Sequence, residues 1–300
     1  YCDSDSLTYA QARLQGFVEP NFFNTALGEI DPLYILDFPT VPELALIDIG
    51  LNGHGTKVAG VIGGQGLGTK EPSLINGTGK IRNGLLDGMA DQIIIDSILL
   101  PHTSSLEFFT ALGSTDFSLV LVTSAMELNQ VANMSFGVND DFLLNWDSLS
   151  QNEKDALELN REAVSDGIEN TPNTLFVLAS GNGGSRAEGI DVNEFNPEAV
   201  AKAFYGSIKK PNLVVAGAAD PETGRVLESS TRGSDHILLN APGDGGTSYA
   251  APKVSAIGAL LLAMPSVDTP EEAIAKMVSA SGKNDGPTRA LDGYTAILNA

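Results

Sequence analysis

Short, nearly continuous apolar runs rich in β-branched residues recur along the chain, and segments that fit helices separate them. Five of these runs have the length of strands: 44–48, 92–100, 174–180, 212–219 and 236–242. Runs without polar alternation are typical of strands buried on both faces, as in a parallel sheet covered by helices. The pattern therefore predicts an α/β fold.

Three further segments carry helix signals. Residues 118–130 are ambiguous, because they are β-branched at the start and helix-favouring at the end. The stretch 136–170 ends in an amphipathic pattern whose acidic face fits a solvated surface. A long apolar run, "KVSAIGALLLAM", follows "GTSYAAP" at 246–252 and predicts a buried helix.

Composition narrows the function classes. The 300 residues are 42% hydrophobic, enough for a sizeable core. The net charge of −21, from 38 acidic and 17 basic residues, argues against a nucleic-acid partner. Cys2 is the only cysteine, which excludes an internal disulfide and a cysteine-rich metal site. No apolar run approaches the eighteen or so residues of a membrane span.

Ser248 lies between a glycine-rich loop and the predicted buried helix. One interpretation is an ordinary N-cap, in which a side-chain oxygen accepts from a free backbone N–H. The other is a nucleophile, because the N–H groups and the dipole at a helix start stabilise negative charge on a bound carbonyl oxygen. The heptapeptide alone leaves both open.

Two more chemically active residues lie at strand ends or helix starts. His54 is flanked by glycines, and the residues after it have the spacing of a buried helix (Val58, Val61, Ile62). Asp48 ends the apolar run 44–48. The ends of parallel strands converge on one edge of a sheet, where sites form.

A fourth residue, Asn182, follows the run 174–180 in a glycine-rich turn. An uncharged amide donor there could bind an oxyanion, whereas the simpler interpretation is an Asn-Gly turn.

Together these stretches resemble the subtilisin-like serine proteases, or subtilases. The matching motifs are "LALIDIG", "NGHGTKVAG" and "GTSYAAPKVSA", joined by "NMSFG" at 133–137 and "LASGNGG" at 178–184. The resemblance runs from about residue 43 to the end. It implies a three-layer α/β/α fold with a mostly parallel central sheet and a catalytic domain at 43–300. Residues 1–42 would be an N-terminal arm or a propeptide remnant, and 118–130 a helix leading into a short strand at 131–135.

The resemblance also implies roles. Ser248 would be the nucleophile, His54 the general base and then acid, and Asp48 the carboxylate that orients the imidazole. Asn182 and the Ser248 N–H would form the oxyanion hole, and Pro252 would lie in the first turn of the helix, where proline costs no hydrogen bond. The substrate pocket would be lined by Ser135, Phe136, Gly137, Ser180 and Gly181.

The sequence departs from the family between the acid and the histidine, which usually lie about thirty residues apart. Asp48 and His54 are only six apart. Asp48 is favoured as the triad acid, because "IDIG" matches the family motif and because a strand ending at Asp37 leaves too short a connection for a parallel crossover. Asp37 is the alternative, and a misplaced acid with a weak site is a third outcome.

We expect a secreted or extracytoplasmic endopeptidase that acts on a polypeptide substrate, needs no cofactor for catalysis and has a propeptide or inhibitor as a further partner. Structural calcium is common in the family, but no ligands can be assigned here. His102 and His236 lack metal-ligand spacing and are interpreted as structural.

Three other functions compete with this one, and the sequence argues against two of them. A catalytically idle binding or scaffold module is the main alternative, because of the short Asp-to-His spacing. An acid-active serine-carboxyl peptidase would need glutamate and aspartate in place of His54 and Asn182. An α/β-hydrolase esterase would need a second glycine after Ser248.

Overall fold

The described part of the chain is built around an eight-stranded, mostly parallel sheet. The computed structural model describes residues 43–48, 58, 61, 94–99, 130–137, 140–183, 190–220, 223–233, 236–243, 246–283 and 289–300. The strands are β1 (Glu43–Asp48), β2 (Ile94–Leu99), β3 (Val131–Met134), β4 (Leu175–Ala179), β5 (Leu213–Ala219), β6 (Leu239–Pro242), β7 (Gly282–Lys283) and β8 (Arg289–Ala290). Their order is β2-β1-β3-β4-β5-β6-β8-β7, and only β7 and β8 pair antiparallel.

Six α-helices have full bounds among these residues: α1 (Asp140–Leu144), α2 (Gln151–Asn170), α3 (Pro197–Ala203), α4 (Thr247–Leu262), α5 (Pro270–Ala280) and α6 (Gly293–Leu298). Short 3-10 turns lie at Trp146–Ser148, Val192–Glu194 and Tyr205–Ser207. Capping boxes start α2 and α5, where Ser150 and Thr269 pair with a glutamate three residues on.

The two faces of the sheet contact different helices. Along β4, Leu175, Val177 and Ala179 pack into one cluster with residues of α4, α5 and α6. Phe176 and Leu178 point to the other face and pack with residues of α2 and α3. This alternation shows why β4 is apolar throughout, and it confirms the predicted α/β/α layering.

Most of the predicted elements are confirmed, with one boundary corrected. Strands occupy the runs at 44–48, 92–100, 174–180 and 212–219, and the short strand expected at 131–135 is β3. The run 236–242 is a strand only from Leu239, because the N–H groups of His236 and Ile237 donate to the Gly233 carbonyl in a turn. Residues 1–42 and 118–129 lie outside the described residues.

Asn212 closes the connection between α2 and β4. It is 3% exposed, and its Nδ2 donates to the carbonyl oxygens of Ile168, Thr171 and Thr174 at 3.0 to 3.1 Å. These carbonyls end α2 or follow it. Those of Ile168 and Thr171 also accept the N–H groups of Thr171 and Thr174, so Asn212 supplies a further donor to each.

We expect Asn212→Ala to lower the free energy of unfolding by about 1–3 kcal/mol, because the three hydrogen bonds of one buried amide are lost together. Urea unfolding measures the change. Asn170→Ala, at an exposed position on the same helix end, is the matched control and should change stability by less than about 0.5 kcal/mol. Equal effects of the two substitutions would contradict the capping role of Asn212.

Candidate active site

Sheet topology brings the candidate residues to one edge. Strands β1, β3 and β4 are adjacent and parallel, so their carboxyl ends lie side by side. Asp48 ends β1, Ser135 follows β3, and Asn182 lies three residues after β4. Helix α4 packs across these strands and begins at the same edge, with Ser248 as its second residue.

Ser248 is half-buried at the start of α4. Its Oγ donates to the Ser135 carbonyl oxygen over 3.2 Å. The N-cap of α4 is Gly246, which has no side chain with which to cap the helix, so the N-cap interpretation of Ser248 is wrong. Among the described residues, no acceptor is recorded for the Ser248 N–H, as expected in the first turn of a helix.

Pro252 lies in the second turn of α4, not in the first as the sequence suggested, because the helix begins at Thr247. A non-proline residue at this position would donate its N–H to the Ser248 carbonyl oxygen. The Ser135 hydroxyl donates to that oxygen instead, over 2.9 Å. Proline thus frees the carbonyl of the candidate nucleophile for a bond that joins α4 to β3.

Asn182 presents its side chain towards solvent from the turn after β4. Its Oδ1 accepts from the Thr247 N–H at 2.9 Å and contacts the Thr247 hydroxyl at 3.1 Å. With Oδ1 held in this way, the amide can turn only Nδ2 to a ligand, and no acceptor for Nδ2 is recorded in the described part of the chain. Asn182 is therefore an oriented donor, which a plain Asn-Gly turn would not require.

Gly246 leaves room for this arrangement. Its φ of 105° is in the region that favours glycine, and a Cβ there would lie 2.6 Å from Asn182 Oδ1. The glycine before the serine motif therefore allows the amide to approach the helix start.

The predicted pocket residues flank the same edge. Ser135, Phe136 and Ser180 are each at most 6% exposed, and Gly137 and Gly181 are half-buried. The Ser180 hydroxyl donates to the Thr231 carbonyl oxygen, so this side chain supports the loop around Thr231. Because the side chains of Ser135, Phe136 and Ser180 are buried, the backbone of the segments after β3 and β4 would line the substrate pocket. This lining stays a prediction.

Some candidates cannot be placed in full. His54, Asp37 and His102 lie outside the described residues, as does the side chain of Asp48. Val58 is helical and buried in the cluster that contains residues of α4, so its side chain packs on the α4 face of the sheet. Val61 is also helical and 1% exposed, which agrees with the predicted buried helix. His236 packs its ring edge-on against Phe204.

Sequence reasoning missed Asp140, the first residue of α1. Its carboxylate is 3% exposed and accepts from the Gly183 N–H at 2.6 Å and from the Thr231 hydroxyl at 2.8 Å. Burial raises the pKa of Asp140 above its ordinary value, and these two hydrogen bonds oppose that shift. The only signal in the sequence was an acidic pair close to "NMSFG", which resembles a solvated loop.

The part of the chain described above contains no group of three or more His, Cys, Asp or Glu side chains placed to hold a metal ion. None of its helices has the length and apolar character needed to cross a membrane.

Comparison with known proteins identifies the family. The sequence model of the Subtilase family matches residues 48–294. No curated protein sequence matches the chain. The chain therefore belongs to the subtilase family, the family of the subtilisin-like serine proteases.

Solved structures agree on the fold. The MycP3 protease from the type VII (ESX-3) secretion system is 17% identical, with a TM-score of 0.58 over 93% of this chain and 88% of that chain. The nisin leader peptidase NisP from Lactococcus lactis is 15% identical, with a TM-score of 0.55 over 92% of each chain. A cold adapted subtilisin-like serine proteinase is 20% identical, with a TM-score of 0.50 over 86% of this chain and 90% of that chain.

The bond from Ser135 to the Ser248 carbonyl yields a stability prediction. Ser135→Ala should lower the free energy of unfolding by about 1–3 kcal/mol, because it removes the donor to the Ser248 carbonyl and the acceptor of the buried Asn133 amide. In a Pro252→Ala background the loss should be smaller, since the introduced alanine supplies the missing N–H. Urea unfolding of the four combinations measures this coupling.

Ser279→Ala is the control, because it removes a serine-to-carbonyl bond at an exposed position of α5. It should have little effect in either background. Equal losses from Ser135→Ala with and without Pro252 would refute the exchange of donors.

Proposed function

We propose that the chain is a serine endopeptidase that hydrolyses peptide bonds through an acyl-enzyme on Ser248. The main support is the placement of Ser248 at the start of α4, with its N–H unused by the described residues and the Asn182 amide held beside it. An N–H and an amide donor next to a hydroxyl are the nucleophile and oxyanion-binding components of acyl transfer.

In this mechanism Ser248 Oγ attacks the scissile carbonyl carbon while His54 takes the hydroxyl proton. His54 then gives the proton to the leaving amine. Water attacks the acyl-enzyme in the same way, with His54 taking its proton and returning it to Ser248 Oγ as the acyl group leaves. Asp48 orients the imidazole and stabilises its protonated form. A serine hydroxyl is a poor nucleophile without such a base, so the proposal needs His54 within hydrogen-bond reach of Ser248.

The oxyanion would be bound by the Ser248 N–H and by Asn182 Nδ2. Both donors are uncharged, and both belong to groups fixed before substrate binds: the helix start, and an amide whose Oδ1 is held by Thr247. Preorganised donors stabilise developing charge without reorganisation during the reaction.

Topology favours Asp48 over Asp37 as the acid. Strand β1 pairs with β2 on one side and with β3 on the other. Any strand ending at Asp37 would therefore be separated from β3 by β1. Asp48 ends the strand directly beside β3, whose extension carries the Ser135 carbonyl that contacts Ser248.

The proposed substrate is a polypeptide that binds in extended form between the backbone segments after β3 and β4, and the proposed location is extracytoplasmic. Solved structures with the same fold include a leader peptidase and a secretion-system protease, which fits cleavage of exported chains. We propose no cofactor for catalysis, and a propeptide or inhibitor as a further partner.

Labelling by a fluorophosphonate probe at pH 7 to 8 tests the triad. The native chain should be labelled, and Ser248→Ala and His54→Ala should not. Asp48→Ala should react much more slowly, whereas the matched Asp37→Ala should react like the native chain. A folded native chain that resists labelling would favour an idle binding module, and slowing by Asp37→Ala alone would reassign the acid.

Asn182→Ala should slow the chemical step by ~10²–10³, as removal of an oxyanion donor does elsewhere, with little change in binding. The limiting rate of probe labelling measures the chemistry, and the half-saturating probe concentration measures binding. Asn193→Ala, on an exposed turn away from the candidate site, is the control and should match the native chain. A rate within twofold of native for Asn182→Ala would remove this residue from the mechanism.

A further inference from the structure

The turn after β4 carries the proposed oxyanion donor, so the groups that hold its backbone determine the orientation of the Asn182 amide. The Gly181 N–H donates to the Thr247 hydroxyl oxygen at 3.2 Å, and the Gly181 carbonyl accepts from the Thr231 N–H at 3.0 Å. The Gly183 N–H donates to the carboxylate of Asp140 at 2.6 Å, and the Asn182 N–H has a weaker influence that lowers the pKa of the same carboxyl.

Asp140 lies directly beneath this turn. A Cβ added at Gly181 would lie 2.8 Å from each carboxylate oxygen and 3.0 Å from the Thr231 hydroxyl. The φ of Gly181 is 107°, so the turn has a backbone conformation that residues other than glycine rarely adopt. A left-handed backbone of this kind persists when its surroundings hold it in place.

Burial of this carboxylate is costly, and its contacts indicate what offsets the cost. The described groups acting on it are the two turn N–H groups, the Thr231 hydroxyl and the neighbouring Asp141 carboxylate, with no cation among them. A buried anion held only by uncharged donors fixes the direction of those donors in return.

We propose that Asp140 is a positioning residue for catalysis, whose carboxylate holds the turn through the Gly183 N–H so that the neighbouring Asn182 amide faces the oxyanion. Thr231 completes the support, because its hydroxyl donates to Asp140 while its N–H holds Gly181. Asp140 acts through Asn182 and does not contact the substrate. The inference rests on the proposed function and extends it to a residue outside the triad.

The test compares fluorophosphonate labelling of the native chain with Asp140→Ala and Asp140→Asn. Asp140→Ala should lower the limiting rate ~10–100-fold, with the half-saturating probe concentration within twofold of native. Asp140→Asn should recover most of the rate, because its Oδ1 can still accept from the Gly183 N–H. Asp141→Ala is the control, because it removes one carboxylate from the same helix, and it should react like the native chain.

A double-mutant cycle separates positioning from a general loss of structure. If Asp140 acts through Asn182, Asp140→Ala should cost at most about threefold in an Asn182→Ala background. An equal loss in both backgrounds would overturn the proposal. A native rate for Asp140→Ala would do the same, and a raised half-saturating concentration would show that the carboxylate binds the substrate instead.

Thr231→Val covers the case in which Asp140→Ala fails to fold. It removes one donor to the carboxylate at nearly constant shape and should slow labelling about three- to tenfold, whereas Thr231→Ser should restore the rate. A native rate for Thr231→Val would then refute the inference. Labelling of the native chain that is lost with Ser248→Ala keeps the proposed function intact whichever result is obtained, and failure to label the native chain overturns both.

Discussion

Thirteen of the sixteen residues of α4 are buried, and the placement of this helix against the sheet determines the geometry of the site. The close approach of α4 to β4 depends on a small residue, because a Cβ at Gly258 would meet the Leu175 side chain. A helix packed in this way cannot slide without opening the core, because protein interiors are close to crystalline density. Ser248 is therefore held at the carboxyl edge of β3 and β4 by apolar contacts that extend far beyond the site.

A buried polar chain sets the register of α4 on β3. The Ser255 hydroxyl donates to Asn133 Oδ1, Asn133 Nδ2 donates to Ser135 Oγ, and that hydroxyl donates to the Ser248 carbonyl. Asn133 and Ser255 are at most 1% exposed. The Ser255 hydroxyl also lies 3.0 Å from the Ala251 carbonyl oxygen of its own helix, so it is the buried Asn133 Oδ1 that finds its donor only in one alignment of helix and strand. The network thereby adds specificity to apolar packing. Pro252 belongs to the same arrangement, because it frees the Ser248 carbonyl, which is the last acceptor in this series of hydrogen bonds.

The sequence predicted the features that arise from local chemistry. Apolar runs without alternation located four strands accurately, and glycines beside Asn182 and Ser248 marked the turns that the site uses. It failed where the deciding contact is distant along the chain. Asp140 becomes functional in our proposal only through Thr231 and Gly183, which lie 91 and 43 residues away, and no local pattern distinguishes it from a solvated acid. The predicted position of Pro252 within the helix was wrong for a related reason, because the start of α4 depends on the contact between Gly246 and Asn182.

The pairing of Ser135 with Ser248 joins residues 113 positions apart. Contacts across such separations carry a large loop-closure entropy, and parallel sheets with many of them are slow to form. In an unfolded or half-folded chain, the Ser248 hydroxyl is therefore kept apart from the groups that surround it in the native structure. Under the proposed mechanism such a molecule cannot attack its neighbours, because activation of the serine waits until the last long-range contacts have closed.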